Sequence, residues 1–256
     1  MLLGARQDDW DRHWTDFAAR ATQNPAQAMR RRIIDSLLEV GDGPARVLDI
    51  GCGQGDLLAE MHTRHPRAEL HGIDCSRHGV EVAREKVPHG TFAQRDLMAS
   101  GDPPAERAAW ATHAVCSEVL EHLDEPRALL TNARAYLARG CRLVVTVPGG
   151  PMSAFDRHIG HRRHFTVDAL WQMLEASGFA VERVMGLGFP FFNLYRLVVI
   201  SRGERLVGDL SAGSGAPQPR SFPARIAMGA FRPLLALPQP RGRRGWQVVA
   251  VARRET

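Results

Sequence analysis

Two short stretches hold most of the side chains able to move a proton or grip a cation. "SEVLEHL" carries Glu118, Glu121 and His122 at i, i+3 and i+4, and "FDRHIGHRRHFT" carries His158, His161 and His164 within seven residues. On a helical turn the first three share one side. Two carboxylates and two imidazoles suit a divalent ion of intermediate softness, and without an ion the same groups are general bases for a hydroxyl that must lose its proton. The plainer alternative is that these residues cap helices, contact substrate or simply pack. Arg162 and Arg163 offer charge-assisted hydrogen bonds to an anion, unless they are merely solvated.

Either chemistry needs the two stretches to meet, and the chain has a pattern that would bring them together. Apolar runs at Val47–Ile50, Glu69–Ile73, Thr91–Arg95, Ala114–Cys116 and Arg142–Val147 read as strands, separated by helices starting near Asp56, Ser76 and Pro126. "TVDALWQMLEASGF" reads as a further helix with Thr166 as N-cap and Gly178 as its stop; "AVERVMGLG" and "GWQVVAVARR" read as the last strands. Alternation of this kind predicts an α/β fold, a Rossmann-like, seven-stranded, mostly parallel sheet with helices on both faces. Loops at the strand ends then converge on one crevice.

Ahead of this core, residues 1–40 read as helices that cover the site, with Trp10, Trp14 and Phe17 either folding over a ligand or packing internally. The core spans 41–186 and 245–256. Residues 187–244 read as an insertion: "FFNLYRLVVI" and "RIAMGAFRPLLAL" are helical, and "GDLSAGSGAPQPRSFPAR" between them is a loop. This insertion is a candidate lid or homodimer surface, and "GFPFFNLYR" either walls an acceptor pocket or packs the lid on the core.

"RVLDIGCGQGDLL" places Gly51, Gly53 and Gly55 directly behind the first strand, where they permit a tight turn into a helix N-terminus. The spacing is G-x-G-x-G with Asp56 next, so it lacks the third glycine of a dinucleotide site. Asp49 would repel a pyrophosphate and attract an ammonium group. Asp74 ends the second strand where a ribose diol would lie, and Asp96 ends the third within reach of an adenine amino group.

With these motifs the chain resembles the class I S-adenosylmethionine-dependent methyltransferases: "VLDIGCGQGDLL", "GIDCS", "QRDLM" and "AVCSEVLEHL" occur in the family's order, over about residues 30–186 with the closing strand at 245–253. The resemblance implies S-adenosyl-L-methionine as cofactor, held by Asp49, Gly51, Cys52, Gly53, Gly55, Asp74, Cys75, Asp96, Leu97 and Ser117. It implies methyl transfer to a small-molecule acceptor, more readily at a hydroxyl than at nitrogen or carbon. The E-x-x-E-H string is similar to that of the ubiquinone-pathway O-methyltransferases and of small-RNA 3′-terminal ribose methyltransferases. Carried over, it gives a divalent cation (Mg, Mn, Fe or Zn) on Glu118, Glu121, His122 and His161. Without the cation, catalysis falls to His122, His161, His164 and Glu118. The basic "HRRHFT" departs from the RNA enzymes, which have an acidic and aromatic segment there.

Composition agrees with a small-molecule substrate. The net charge of +5 comes almost wholly from scattered arginines, with a single lysine, Lys86, whereas a phosphate-tracking surface concentrates its cations. An RNA-end methyltransferase and a non-catalytic cofactor-binding assembly protein are the alternatives. Cys52, Cys75, Cys116 and Cys141 form no C-x-x-C pair and read as reduced, buried thiols. No apolar run reaches the ~20 residues of a membrane span, so the expectation is a cytoplasmic protein.

Overall fold

The computed structural model describes residues 10–11, 24–99, 103–203 and 231–255. After α1 (Pro25–Leu38) come β1 (Arg46–Ile50), α2 (Asp56–Arg64), β2 (Glu69–Asp74), α3 (Arg77–Lys86) and β3 (Thr91–Gln94). There follow β4 (Ala111–Ser117), α4 (Pro126–Ala133), β5 (Leu137–Pro148), α5 (Ala154–His158), α6 (Val167–Ala176), β6 (Phe179–Leu187), α7 (Phe191–Ser201) and β7 (Gln247–Arg254). The strands form one seven-stranded sheet in the order β3-β2-β1-β4-β5-β7-β6, and β7 alone runs antiparallel to its neighbours β5 and β6.

The sheet is covered on both faces, as parallel strands require. Successive side chains of β1 point to opposite sides: Leu48 and Ile50 join the core under α4 and α6, and Val47 joins the core under α1, α2 and α3. Strand order reverses at β1, with β2 on one side and β4 on the other, and such a switch opens a crevice at the carboxyl ends of the strands.

Caps fix where the helices begin. Thr166 accepts from Ala169 N–H as expected, and Ser76 and Asn24 cap α3 and α1 in the same way. β5 starts at Leu137, five residues earlier than its apolar run suggests, because Leu137 already pairs with Ala111 of β4 ahead of an irregularity in the register before Arg142. Of the cysteines, three are buried and all are unpaired, but Cys75 is exposed at the end of β2.

The insertion contributes α7 and a second helix at 231–236; "GDLSAGSGAPQPRSFPAR" lies outside the described residues. Phe192 and Tyr195 of α7 pack on Ala26 and Met29 of α1 and on Leu235. Leu194 and Leu197 are exposed, so these two do not pack the insertion onto the core. No helix among the described residues is long and apolar enough to cross a membrane.

The glycine turn is demanded first by packing. Gly51 has φ +78°, and a Cβ there would sit 2.3 Å from Val119 Cγ2. Gly55, at φ +76°, would place a Cβ 2.9 Å from that of Ala83. In Gly51→Ala, left-handed strain and overpacking together should cost about 2–4 kcal/mol. Adding Val119→Ala removes the clashing methyl, so urea denaturation should show the double variant losing less than the sum of the single losses. Strict additivity would rule out the contact as the reason for glycine.

Candidate functional site

The crevice at the switch point is a cleft open to solvent, concave and largely apolar as small-ligand sites are. β1 and β2 contribute Ile50, Gly51, Ile73, Asp74 and Cys75; Arg95, Asp96, Leu97 and Met98 follow β3; Glu118, Val119 and His122 follow β4. Trp10 closes one side and stacks edge-on to His122 at 4.8 Å between ring centroids. Asp11 beside it accepts from Ser76 Oγ at 2.6 Å and His78 N–H at 3.0 Å, which ties this helical turn to the start of α3.

Of the residues singled out for the cofactor, Gly51, Asp74, Cys75, Asp96 and Leu97 line the cleft, and the others stand behind it. Gly53 N–H donates to Asp74 Oδ2 at 2.7 Å, and Ser117 Oγ pairs with Thr146 Oγ1 at 2.9 Å. Cys52 packs its thiol against Gly72, and Gly55 packs on Ala83. Asp49 is buried under the turn. Sequence reasoning passed over Arg95 and Met98, although both flank Asp96 and Leu97 in the "QRDLM" string.

Electrostatics set the carboxyls apart. Asp74 accepts from Gly53 and Ser76 N–H, one bond per oxygen, which leaves further lone pairs on each. Burial raises its pKa and those bonds oppose the rise. Asp49 lacks such help: burial first, and then the nearby Asp74, push its carboxyl up to about 7. Asp96 is exposed and accepts from Met98 N–H at 2.8 Å.

The E-x-x-E-H string does not form the expected helical face. Glu118 has φ +56°, and the turn that follows is a short 3₁₀ turn over Leu120–His122. The Glu118 carboxylate is therefore engaged apart from the group that Glu121 and His122 form. It pairs with Arg30 at 2.9 Å and accepts from Thr146 Oγ1 at 3.1 Å and Gln247 Nε2 at 3.0 Å. It drops out of the expected metal set while still lining the cleft.

Glu121, His122 and His161 do come together, each offering an atom within 4.8 Å of the others. Both carboxylate oxygens of Glu121 are buried without a hydrogen-bond partner, and burial, then Glu118, push its pKa well above the ordinary range. The rings of His122 and His161 meet edge to face at 4.7 Å. Burial and then His122 hold His161 down at about 3, so it is neutral. His164 lies behind it, and His158 is exposed. Arg162 and Arg163 are tied back to Asp124, through its carboxylate and its carbonyl respectively, rather than held out for an anion.

The methyltransferase domain family matches residues 23–184, more than half of the chain. The chain belongs to the class I S-adenosylmethionine-dependent methyltransferases. The ubiquinone biosynthesis O-methyltransferase of Xanthomonas axonopodis pv. citri is 32% identical to this methyltransferase over 204 residues, covering 72% of this chain and 83% of that one. The trans-aconitate 2-methyltransferase of Methylobacterium nodulans is 30% identical over 141 residues, 55% of this chain, which spans only 50% of that relative's length. Among solved structures, Haemonchus contortus phosphoethanolamine N-methyltransferase 2 with S-adenosylhomocysteine superposes at a TM-score of 0.65, with 17% identity over 99% of this chain and 61% of that chain. A putative methyltransferase of Haloferax volcanii in complex with its Trm112 activator gives 0.65 at 14% identity, over 98% of this chain and 100% of that chain. These two show a shared fold.

The methyltransferase's cleft suits a cationic nucleoside. Its charged lining includes three carboxylates, Asp74, Asp96 and Glu118, set among apolar Ile50, Ile73, Leu97 and Val119, and a pyrophosphate would meet repulsion from these carboxylates.

Asp49 gives this site a pH signature. Folded, it keeps its proton to about pH 7, whereas the unfolded chain releases it near 3.8. The folded state therefore binds the extra proton between those values, and stability falls as pH rises through that window, by about 4 kcal/mol at most. Asp49→Asn removes the titration, so its stability advantage over wild type should grow from about pH 4 to pH 7 in urea titrations. A difference independent of pH would show that Asp49 does not titrate there.

Proposed function

We propose that the protein transfers a methyl group from S-adenosylmethionine to a hydroxyl of a small-molecule acceptor, using the imidazoles at the cleft wall to manage the departing proton. The observation that carries this reading is the convergence of Glu121, His122 and His161, which opens on the cleft through His122. A xanthomonad relative named for ubiquinone biosynthesis O-methylation supports oxygen as the methylated atom.

In this reading Asp74 receives the ribose hydroxyls, Asp96 the adenine amino group, and Ile73, Leu97 and Met98 the adenine faces. Asp49, beneath the glycine turn, is drawn to its charged form when the ammonium end arrives beside it. When bound, the cofactor supplies a methyl group already activated on a sulfonium. What remains for the protein is alignment, exclusion of water and removal of a proton. Trp10 shields the cleft beside His122, and the neutral His161 behind it provides a second imidazole for the proton.

The unpartnered carboxyl of Glu121 favours a second use of the same group. With His122 and His161 it would hold a divalent cation that lowers the pKa of the acceptor hydroxyl.

Turnover assays with S-adenosylmethionine and matched phenol, carboxylate and amine acceptors test the choice of atom. Product from the phenol or other hydroxyl compounds is expected, and turnover of amines alone would overturn it. His161→Ala should lower that turnover by roughly 100-fold or more. S-adenosylhomocysteine affinity in calorimetry should stay unchanged in this variant. Asp74→Ala should weaken that affinity about tenfold or more. Loss of activity in EDTA, restored by Mn²⁺ or Mg²⁺, would select the cation reading over the histidine base.

A further inference from the structure

The loop bearing His161 is fixed at its main chain on both sides. His161 N–H donates to Asp156 O at 2.9 Å, and Arg162 N–H donates to Glu121 O at 2.8 Å. Asp156 is itself held by Ser153, through both its N–H and its hydroxyl, and by two bonds from Arg196 of α7 at 3.1 and 2.8 Å. With the backbone placed, the orientation and protonation of the His161 ring depend on its neighbour.

His164 Nδ1 lies 3.0 Å from Gly150 O. A carbonyl oxygen only accepts, so Nδ1 carries the hydrogen and, in a neutral ring, Nε2 is bare. The Asp156 carboxylate, 3.9 Å from that Nε2, is already matched by the Arg196 guanidinium, so no free anion remains to hold a second proton on His164. Glu118, the other anion bearing on His164, is likewise matched by Arg30, so His161 Nδ1, 3.2 Å from His164 Nε2, is the donor. The hydrogen of His161 is thereby committed to Nδ1. Its other nitrogen, Nε2, keeps a lone pair and stands 4.0 Å from Glu121 Oε1.

We propose that His164 and the Gly150 carbonyl are positioning groups that lock His161 as the Nδ1–H tautomer, so that a bare Nε2 faces Glu121 and His122. The opposite tautomer would set two lone pairs against each other in a site largely shut off from water, an arrangement disfavoured roughly tenfold or more. A bare Nε2 is what a proton acceptor or a cation ligand requires, so the use of the device rests on the function proposed above; its existence does not.

Long-range ¹H–¹⁵N correlation spectra of histidine-labelled protein, at neutral pH with EDTA and S-adenosylhomocysteine, read the tautomers with no acceptor present. His161 and His164 should both appear protonated at Nδ1 and bare at Nε2. His164→Gln, whose carbonyl oxygen can stand in for the lost Nε2, should keep the His161 tautomer. His164→Phe should release it to a mixture or to Nε2–H, with S-adenosylhomocysteine affinity retained as the sign of an intact fold. Nε2–H on His161 in the wild type, a doubly protonated His164, or an unchanged His161 in His164→Phe would overturn the inference. Tautomers as expected without methylation of any hydroxyl compound would leave it standing and remove only the proposed acceptor.

Discussion

Keeping carboxyl groups out of water at the ends of the strands is the constraint around which the rest of this molecule is arranged. A buried carboxylate is costly unless bonds or cations compensate it. The fold meets that cost differently at each position. Asp74 draws on two backbone N–H groups of the turns around it, and Glu118 draws on Arg30 and Gln247. Asp49 and Glu121 have no such partners, and burial raises the pKa of each. The edge of the sheet is thus a set of acids held ready for a positively charged visitor.

Much of the scaffold serves this edge. Arg30 reaches from α1 to Gln247 of β7 as well as to Glu118, and Gln247 closes the triangle by donating to Glu118 and to the Val147 carbonyl. One buried guanidinium therefore links the helix before the core, the last strand and the loop after β4. Arg142 does the same lower down, joining Leu37 and Glu39 to Glu182. Arg196 extends the pattern to the insertion. The positive charge that composition spreads thinly along the chain is in part internal structure.

What the residues disclosed without coordinates was whatever local spacing controls. A G-x-G-x-G turn behind an apolar strand, acids at or just past the tips of β2 and β3, a helix start near Ser76 and the cap at Thr166 each need only a few neighbours, and so the sheet and the tips of β1 to β3 were legible. Glu118 was not, because its direction depends on a left-handed backbone and on partners in α1 and β7, far away in sequence. The same holds for Arg162 and Arg163, whose charge and carbonyl contacts with Asp124 no pattern announces. His161 and His164 stood out, but not the hydrogen bonds between them and Gly150, which depend on where two separate loops come to rest.

The place of β7 bears on how the chain is made. It follows β5 and β6 in the chain, yet it lies between them. Until it arrives, β6 has no hydrogen-bonded neighbour and the valine-rich flank of β5 is an open template for other chains. Synthesis of residues 188–246 takes about 3–12 s at common translation rates, and for that interval the β5 and β6 edges stay unpaired.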